Sequence, residues 1–143
     1  MWRTVKNFFQ SLRSYPDLSP DLRMRRRVNR ELRDRPALSV DEWYVRFWQP
    51  LGVSRQVAEF VYTQIATYTG LDFTRIRPSD HLHDDLHLAL VCWFDWEFSL
   101  YEDFFERFGV DLSDRFDPDL YITVQELVLF LNQQLLSITL EPD

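Results

Sequence analysis

All three histidines of this chain lie in one short acidic stretch, the clearest place where residue types and spacing could do chemistry. The stretch places histidines beside carboxylates: Asp80, His81, His83, Asp84, Asp85 and His87. Imidazole and carboxylate groups are ligands for zinc and nickel. The polar composition and a nearby proline favour a loop, so we expect these side chains mainly to cap helices and to bond loop backbone. His81, His83 and His87 stay as alternative metal ligands, and we expect no cofactor.

Catalytic motifs are missing from the sequence. The only cysteine, Cys92, lies in an apolar run, where a thiolate is disfavoured. Because the chain has a single cysteine, an intrachain disulfide and a Cys-rich zinc site are both excluded. The chain contains no G-x-S-x-G, no glycine-rich phosphate loop and no H-E-x-x-H. We therefore expect a protein that is not an enzyme.

Charge is distributed unevenly. Residues 1–36 carry nine Arg and one Lys against four acidic residues, a net charge of +6, whereas the remainder of the chain carries −13. The basic part could meet nucleic acid, an anionic membrane surface through an amphipathic helix over Trp2 to Leu12, or an acidic protein surface. We favour the protein surface, including the acidic body of this chain or of a second copy in a homodimer, because guanidinium pairs with carboxylate at two points. The arginines that we expect to carry this contact are Arg23, Arg26, Arg27 and Arg30.

Nucleic acid is the less favoured partner for two reasons. The arginines of this part surround the predicted helix rather than forming a stripe, and an acidic body would repel a polyanion. Peripheral contact with a membrane stays open.

Aromatic residues are abundant, with 12 Phe, 6 Tyr and 5 Trp. This is more than a core of this size usually needs, so some aromatic side chains are expected at a partner-facing surface. We place Trp43 and Trp48 there.

The elements that must position these residues are predicted to be helical throughout. Helices are expected over Trp2–Ser14, over Pro20–Arg35, from the capping box of Ser39 and Glu42 to Pro50, from Ser54 to Thr69, over Leu88–Phe108, and from Thr123 through about Gln134, with Leu135 and Leu136 as an extension. The three glycines, Gly52, Gly70 and Gly109, are expected at helix ends. No alternating pattern indicates a sheet, so the fold class is all-α.

Three segments carry a family resemblance. They read S-D-H-L-H-D-D-L from Ser79, E-D-F-F-E-R-F-G-V-D-L from Glu102, and I-T-V-Q-E-L-V-L-F-L from Ile122. In this order they resemble the acyl carrier proteins over residues 54–137. The resemblance implies a four-helix bundle with helices at Val57–Tyr68, Asp95–Phe108, a short one near Asp117–Tyr121, and Thr123–Gln134, preceded here by an N-terminal helical extension.

The residue that carries the phosphopantetheine arm in that family has no counterpart here. Its serine falls near Phe94, and Phe94-Asp95-Trp96 offers no hydroxyl; Ser99 is an alternative attachment site more than one helical turn later. About four additional residues precede Phe108 relative to a typical carrier. The family also binds partner enzymes through an acidic second helix, which the resemblance carries over to Glu97, Glu102, Asp103 and Glu106, although a merely solvated helix face explains the same charges.

We expect residues 1–50 to form a basic, aromatic extension and residues 51–143 the carrier-like bundle, packed as one compact unit. The sequence has one cysteine, no apolar run near the length of a membrane span, and no pattern of a cleaved leader. We therefore expect a soluble cytoplasmic protein. The expected function is that of a non-enzymatic, protein-binding adaptor or assembly factor. A divergent carrier modified at Ser99 and a binder of nucleic acid or anionic membranes are the alternatives.

Overall fold

The computed structural model describes residues 19–140, so the helix expected over Trp2–Ser14 lies outside the described part. Helix α1 spans Leu22–Leu32. It begins where the Asp21 side chain accepts a hydrogen bond from the backbone N of Met24 at 3.1 Å. The helix is therefore shorter at both ends than its arginine-rich pattern predicts.

The capping box predicted at Ser39 is confirmed. Ser39 Oγ accepts from the backbone N of Glu42 at 3.2 Å, and Glu42 Oε1 accepts from the backbone N of Ser39 at 3.0 Å. Helix α2 (Val40–Trp43) continues directly into a π-helical turn (Tyr44–Trp48) and a 3-10 turn (Gln49–Leu51). Pro50 lies inside that last turn, and the segment ends at Gly52, whose φ is +75°.

A second long helical segment follows with the same construction. Ser54 caps α3 (Arg55–Phe60), which passes through a π-helical turn (Val61–Ile65) into α4 (Ala66–Thr69). This segment ends at Gly70 in the left-handed conformation, as predicted.

The segment expected to be helical over Leu88–Phe108 is interrupted. Helix α5 is a single turn, Leu88–Val91, and Cys92 is extended. Helix α6 then spans Trp96–Phe108 and ends at Gly109.

The remaining helices agree with their predicted places. A 3-10 turn covers Pro118–Leu120, and α7 spans Val124–Leu140, which confirms the extension through Leu135 and Leu136. Another 3-10 turn, Phe73–Arg75, lies in the loop after Gly70. Residues 19–140 contain one isolated antiparallel bridge, between His81 and Thr123, and no strand, which confirms the all-α class for the described part. None of the helices in this part of the chain has the length and apolarity needed to cross a membrane.

One continuous apolar core unites the described helices. Residues from both sides of position 50 belong to it: Val28, Leu32, Trp43, Trp48, Val57, Phe60, Ile65, Leu100, Phe104, Leu127 and Leu131 are all buried. The basic segment after residue 19 is therefore packed on the rest of the protein by apolar burial.

Candidate interaction surfaces

Helix α1 is fixed to the body by polar contacts as well as by its buried Val28 and Leu32. Arg25 Nε donates to the carbonyl of Val91 at 2.7 Å. Asn29 donates to the carbonyl of Gly70 at 3.0 Å and accepts from the backbone N of Asp72 at 2.9 Å. These contacts connect α1 to residues more than forty positions away, so the orientation of its outer face is set.

Five arginines occupy that outer face. They are all exposed: Arg23, Arg26, Arg27, Arg30 and Arg33. Because an α-helix has 3.6 residues per turn, these five positions lie within an arc of about 120° and along about 15 Å of the helix. We call them the basic face. Arginines do lie on more than one side of α1, as expected, but the exposed ones share one side, because Arg25 turns inward and Arg35, beyond the helix, is held by Asp80.

Little of this positive charge is neutralised locally. Arg27 lies 3.4 Å from Glu31, and both side chains are exposed. Within residues 19–140 the side chains of Arg23, Arg26, Arg30 and Arg33 form no ion pair. A rigid helix thus presents several guanidinium groups to solvent.

The two tryptophans assigned to a partner surface are in the core instead. Trp43 and Trp48 are both fully buried, 5.3 Å apart edge to face. The π-helical turn that follows Trp43 explains this, because its i to i+5 hydrogen bonds bring residues five apart onto one face. The indole nitrogen of Trp43 donates to the carbonyl of Ile76 at 2.8 Å.

The acidic side of α6 is partly used within the protein. Asp103 accepts a hydrogen bond from the hydroxyl of Tyr68, and only Glu106 among the acidic residues of α6 is exposed. Glu102 is half-buried. Burial, together with the negative charges of Asp119 and Asp117, raises the pKa of Glu97. The predicted recognition helix therefore offers less free negative charge than its sequence indicates.

The region around the start of α6, where the resemblance predicts the missing serine, is a polar groove. Phe94 and Ser99 are half-buried there, Asp95 is buried, and Ser99 lies in the second turn of α6. A cavity of about 470 Å³ opens here and is lined by Arg25, Tyr68, Trp93, Asp95, Ser99 and Glu102, among others. Its lining mixes one guanidinium with several carboxylates. Burial raises the pKa of the neighbouring Cys92 to about 12, so this thiol is protonated at neutral pH.

The three histidines do not converge. His81 lies 3.7 Å from Asp84, His83 has a buried Nε2 without a hydrogen-bond partner, and His87 adopts a left-handed backbone with φ of +53°. Across residues 19–140, no group of three His, Cys, Asp or Glu side chains is arranged to hold a metal ion. Asp80 instead accepts two hydrogen bonds from Arg35, and Asp85 accepts one from the backbone N of His81.

One surface was not anticipated from the sequence. Between α6 and α7, Leu120 and Ile122 are 67% and 58% exposed. Asp117 and Asp119 precede them in the chain and Glu126 follows them, and all three carboxylates are exposed. We call these five residues the acidic patch. The signal in the sequence was the short run D-P-D-L-Y-I over 117–122, where two acidic residues and a proline stand directly before apolar residues in a loop.

Comparison with known proteins gives no relative: no family model, no curated protein and no solved structure matches this chain.

Proposed function

We propose that this protein is a non-enzymatic adaptor or assembly factor that docks the basic face of α1 on an acidic surface of a protein partner. The observation that carries the proposal is that Arg23, Arg26, Arg27, Arg30 and Arg33 are all exposed on one side of a helix whose other side is buried. Because packing fixes the helix backbone before binding, only the rotamer freedom of the arginine side chains is lost when they pair with carboxylates.

The scaffold in this proposal is acyl-carrier-like and has no phosphopantetheine arm. The order of the elements after residue 54 supports it: a long helical segment to Gly70, a loop, α6, a short 3-10 turn and α7. Phe94 at the serine position supports the absence of an arm, since a phenyl side chain cannot form the phosphodiester. On such a scaffold without an arm, the protein would bind partners but carry no acyl or peptidyl group.

Protein is favoured over nucleic acid and membrane because of the charge around the basic face. The chain as a whole carries −7, which repels a long polyanion or an anionic bilayer over distances comparable to the Debye length. A protein partner can offer carboxylates that match the basic face locally without extending over the acidic remainder.

Binding of a labelled poly-glutamate peptide, with duplex DNA and phosphatidylserine vesicles in parallel, tests this proposal. The variant Arg26→Gln/Arg30→Gln removes two charges from the basic face, and Arg46→Gln/Arg115→Gln removes two from exposed positions elsewhere. We expect the first variant to bind the peptide about tenfold more weakly, the equivalent of about 1.4 kcal/mol for two exposed ion pairs. The second variant should bind like the wild type.

The parallel ligands decide what kind of anion the basic face takes. We expect DNA and vesicles to bind more weakly than the peptide at equal salt. Stronger binding of DNA or vesicles, lost in Arg26→Gln/Arg30→Gln, would replace the protein partner by a polyanion or a membrane surface. Equal loss in both variants would show that only net charge matters and would overturn the role of the basic face.

A further inference from the structure

The basic face has an apolar part beside it. Leu22, in the first turn of α1, and Leu90, in α5, are 57% and 48% exposed. The backbone N of Asp21 donates to the carbonyl of Leu90 at 2.9 Å, so the two leucines belong to neighbouring backbone at the start of α1. On the helical wheel Leu22 is next to Arg26, one turn later. Exposed leucines and a row of guanidinium groups thus form one surface.

The acidic patch has the same composition with the opposite sign of charge. Leu120 and Ile122 provide exposed apolar side chains, and Asp117, Asp119 and Glu126 surround them with carboxylates. Stable interfaces combine desolvated apolar side chains at the centre with a polar rim of complementary charge. Each of the two surfaces provides half of such an arrangement.

Negative charge is concentrated at the acidic patch beyond what the protein neutralises there. Asp117 and Asp119 act on the nearby Glu97 strongly enough to contribute to its raised pKa. Asp117 also accepts a hydrogen bond from the backbone N of Asp119 at 3.0 Å, which fixes the loop that displays the patch. A cationic surface placed against these carboxylates would relieve their mutual repulsion.

We propose that the protein associates with itself head to tail, the basic face with Leu22 and Leu90 of one copy docking on the acidic patch of the next. This rests on the proposed function, because it uses the same basic face and names a second copy as the acidic partner. Since the two surfaces differ, a pair of copies retains one free acidic patch and one free basic face after a contact forms, and the assembly extends to a ring or a filament rather than stopping at a two-fold dimer.

The competing force is the net charge of −7 that every copy carries. At short range, the local pairing of guanidinium with carboxylate and the burial of four apolar side chains oppose this repulsion. Salt screens the pairing, so association weakens as ionic strength rises.

Sedimentation velocity on the full chain and two complementary variants tests the proposal. The basic-face variant is Arg26→Glu/Arg30→Glu, and the acidic-patch variant is Asp119→Lys/Ile122→Lys. All four side chains are exposed, so both variants are expected to fold. The wild type should show a mass above one chain that rises with concentration at low salt and returns to one chain at high salt. Each variant alone should sediment as a single chain.

Mixing the two variants provides the decisive measurement. The basic-face variant keeps its acidic patch, and the acidic-patch variant keeps its basic face, so an equimolar mixture should form a one-to-one complex that cannot extend. The matched variant Arg46→Glu/Arg107→Glu, which reverses two exposed charges outside both surfaces, should associate like the wild type. A wild type that stays a single chain at low salt, or a mixture without a complex, would overturn head-to-tail association.

The two proposals fail in different ways. If the wild type is a single chain but still binds poly-glutamate through Arg26 and Arg30, self-association is wrong and the adaptor role stands. If neither the peptide nor a second copy depends on those arginines, both proposals fall.

Discussion

Arg35 and Asp80 form a two-point ion pair, with N to O distances of 2.7 and 2.8 Å. Arg35 lies just after α1, and Asp80 lies in the loop between Gly70 and α5. Asp80 also accepts from the backbone N of Arg77 at 2.7 Å, and its own carbonyl accepts from the backbone N of Val124 at 3.0 Å. The hydrogen bonds with Asp80 raise the pKa of Arg35. One buried aspartate thus connects the basic segment, the loop and the first turn of α7.

Asp80→Asn should lower the free energy of unfolding by about 2 kcal/mol. Asparagine can still accept from the backbone of Arg77, so the loss reports mainly on the charge pairing. The value is below that of a fully buried pair because the Arg35 side chain is 31% exposed. Urea unfolding measures it, with the exposed Asp84→Asn as control, where we expect a change within about 0.5 kcal/mol. Equal effects in the two variants would contradict the structural role of Asp80.

Gly70→Ala should be more destabilising than Gly52→Ala. Both glycines have positive φ, so both variants share a backbone cost of about 1 to 2 kcal/mol. At Gly70 a Cβ would also lie 2.9 Å from Arg25 Nε, whereas at Gly52 no heavy atom lies within 4 Å. We expect an additional cost of about 1 kcal/mol at Gly70 because the guanidinium of Arg25 must move.

The Gly70 effect can be assigned to Arg25 by a double-mutant cycle. In an Arg25→Ala background, the excess cost of Gly70→Ala over Gly52→Ala should disappear in thermal or urea unfolding. An excess that persists would place its cause elsewhere than the contact between α1 and the end of α4.

Cys92 should be inert in the folded protein. Burial raises the pKa of its thiol to about 12, and thiolate is the species that reacts with disulfide reagents. We expect negligible reaction with Ellman's reagent at neutral pH, and one equivalent after unfolding in guanidinium chloride. Fast reaction of the native protein would show that the core opens at α5.

Glu97→Gln should stabilise the protein at neutral pH. Because burial and the charges of Asp119 and Asp117 raise the pKa of Glu97 above its unfolded value, the native state binds more protons and wild-type stability falls as pH rises through that range. Below the ordinary Glu range the carboxyl is protonated in both states, so this contribution to the difference between variant and wild type should vanish. Urea unfolding from acidic to neutral pH tests this. A constant difference would refute the ionisation argument.

Expression with a broad-specificity phosphopantetheinyl transferase should leave the intact mass unchanged. Phe94 lacks a hydroxyl, and the half-buried Ser99 lies in the second turn of α6 rather than at its start. A functional carrier domain expressed in parallel confirms that the transferase is active. Gain of one phosphopantetheine, lost in Ser99→Ala, would instead support the divergent-carrier alternative.

Local signals in the sequence determined where most helices begin and end. The capping box at Ser39, the cap at Ser54, and Gly52, Gly70 and Gly109 are in their predicted roles. These features were readable because each is satisfied within a few residues: a side chain meets the orphan backbone groups of its own helix, or a glycine adopts positive φ.

Which residues are buried and which are exposed was harder to predict from the sequence. The periodicity of an α-helix separates Trp43 from Trp48, and only the π-helical turn between them brings both into the core. The break at Cys92 was also missed, since the apolar run from Leu88 continues through residues that fit a helix.

The sequence by itself determined that this is a helical protein with a basic beginning and an acidic remainder. Only the tertiary structure decided that Arg25 and Arg35 are used internally while Arg23, Arg26 and Arg30 face solvent. The reason is physical: Val91 and Asp80, which receive those inner guanidinium groups, lie 66 and 45 positions away along the chain. Identical side chains within one short segment acquire different roles because folding brings different partners to them.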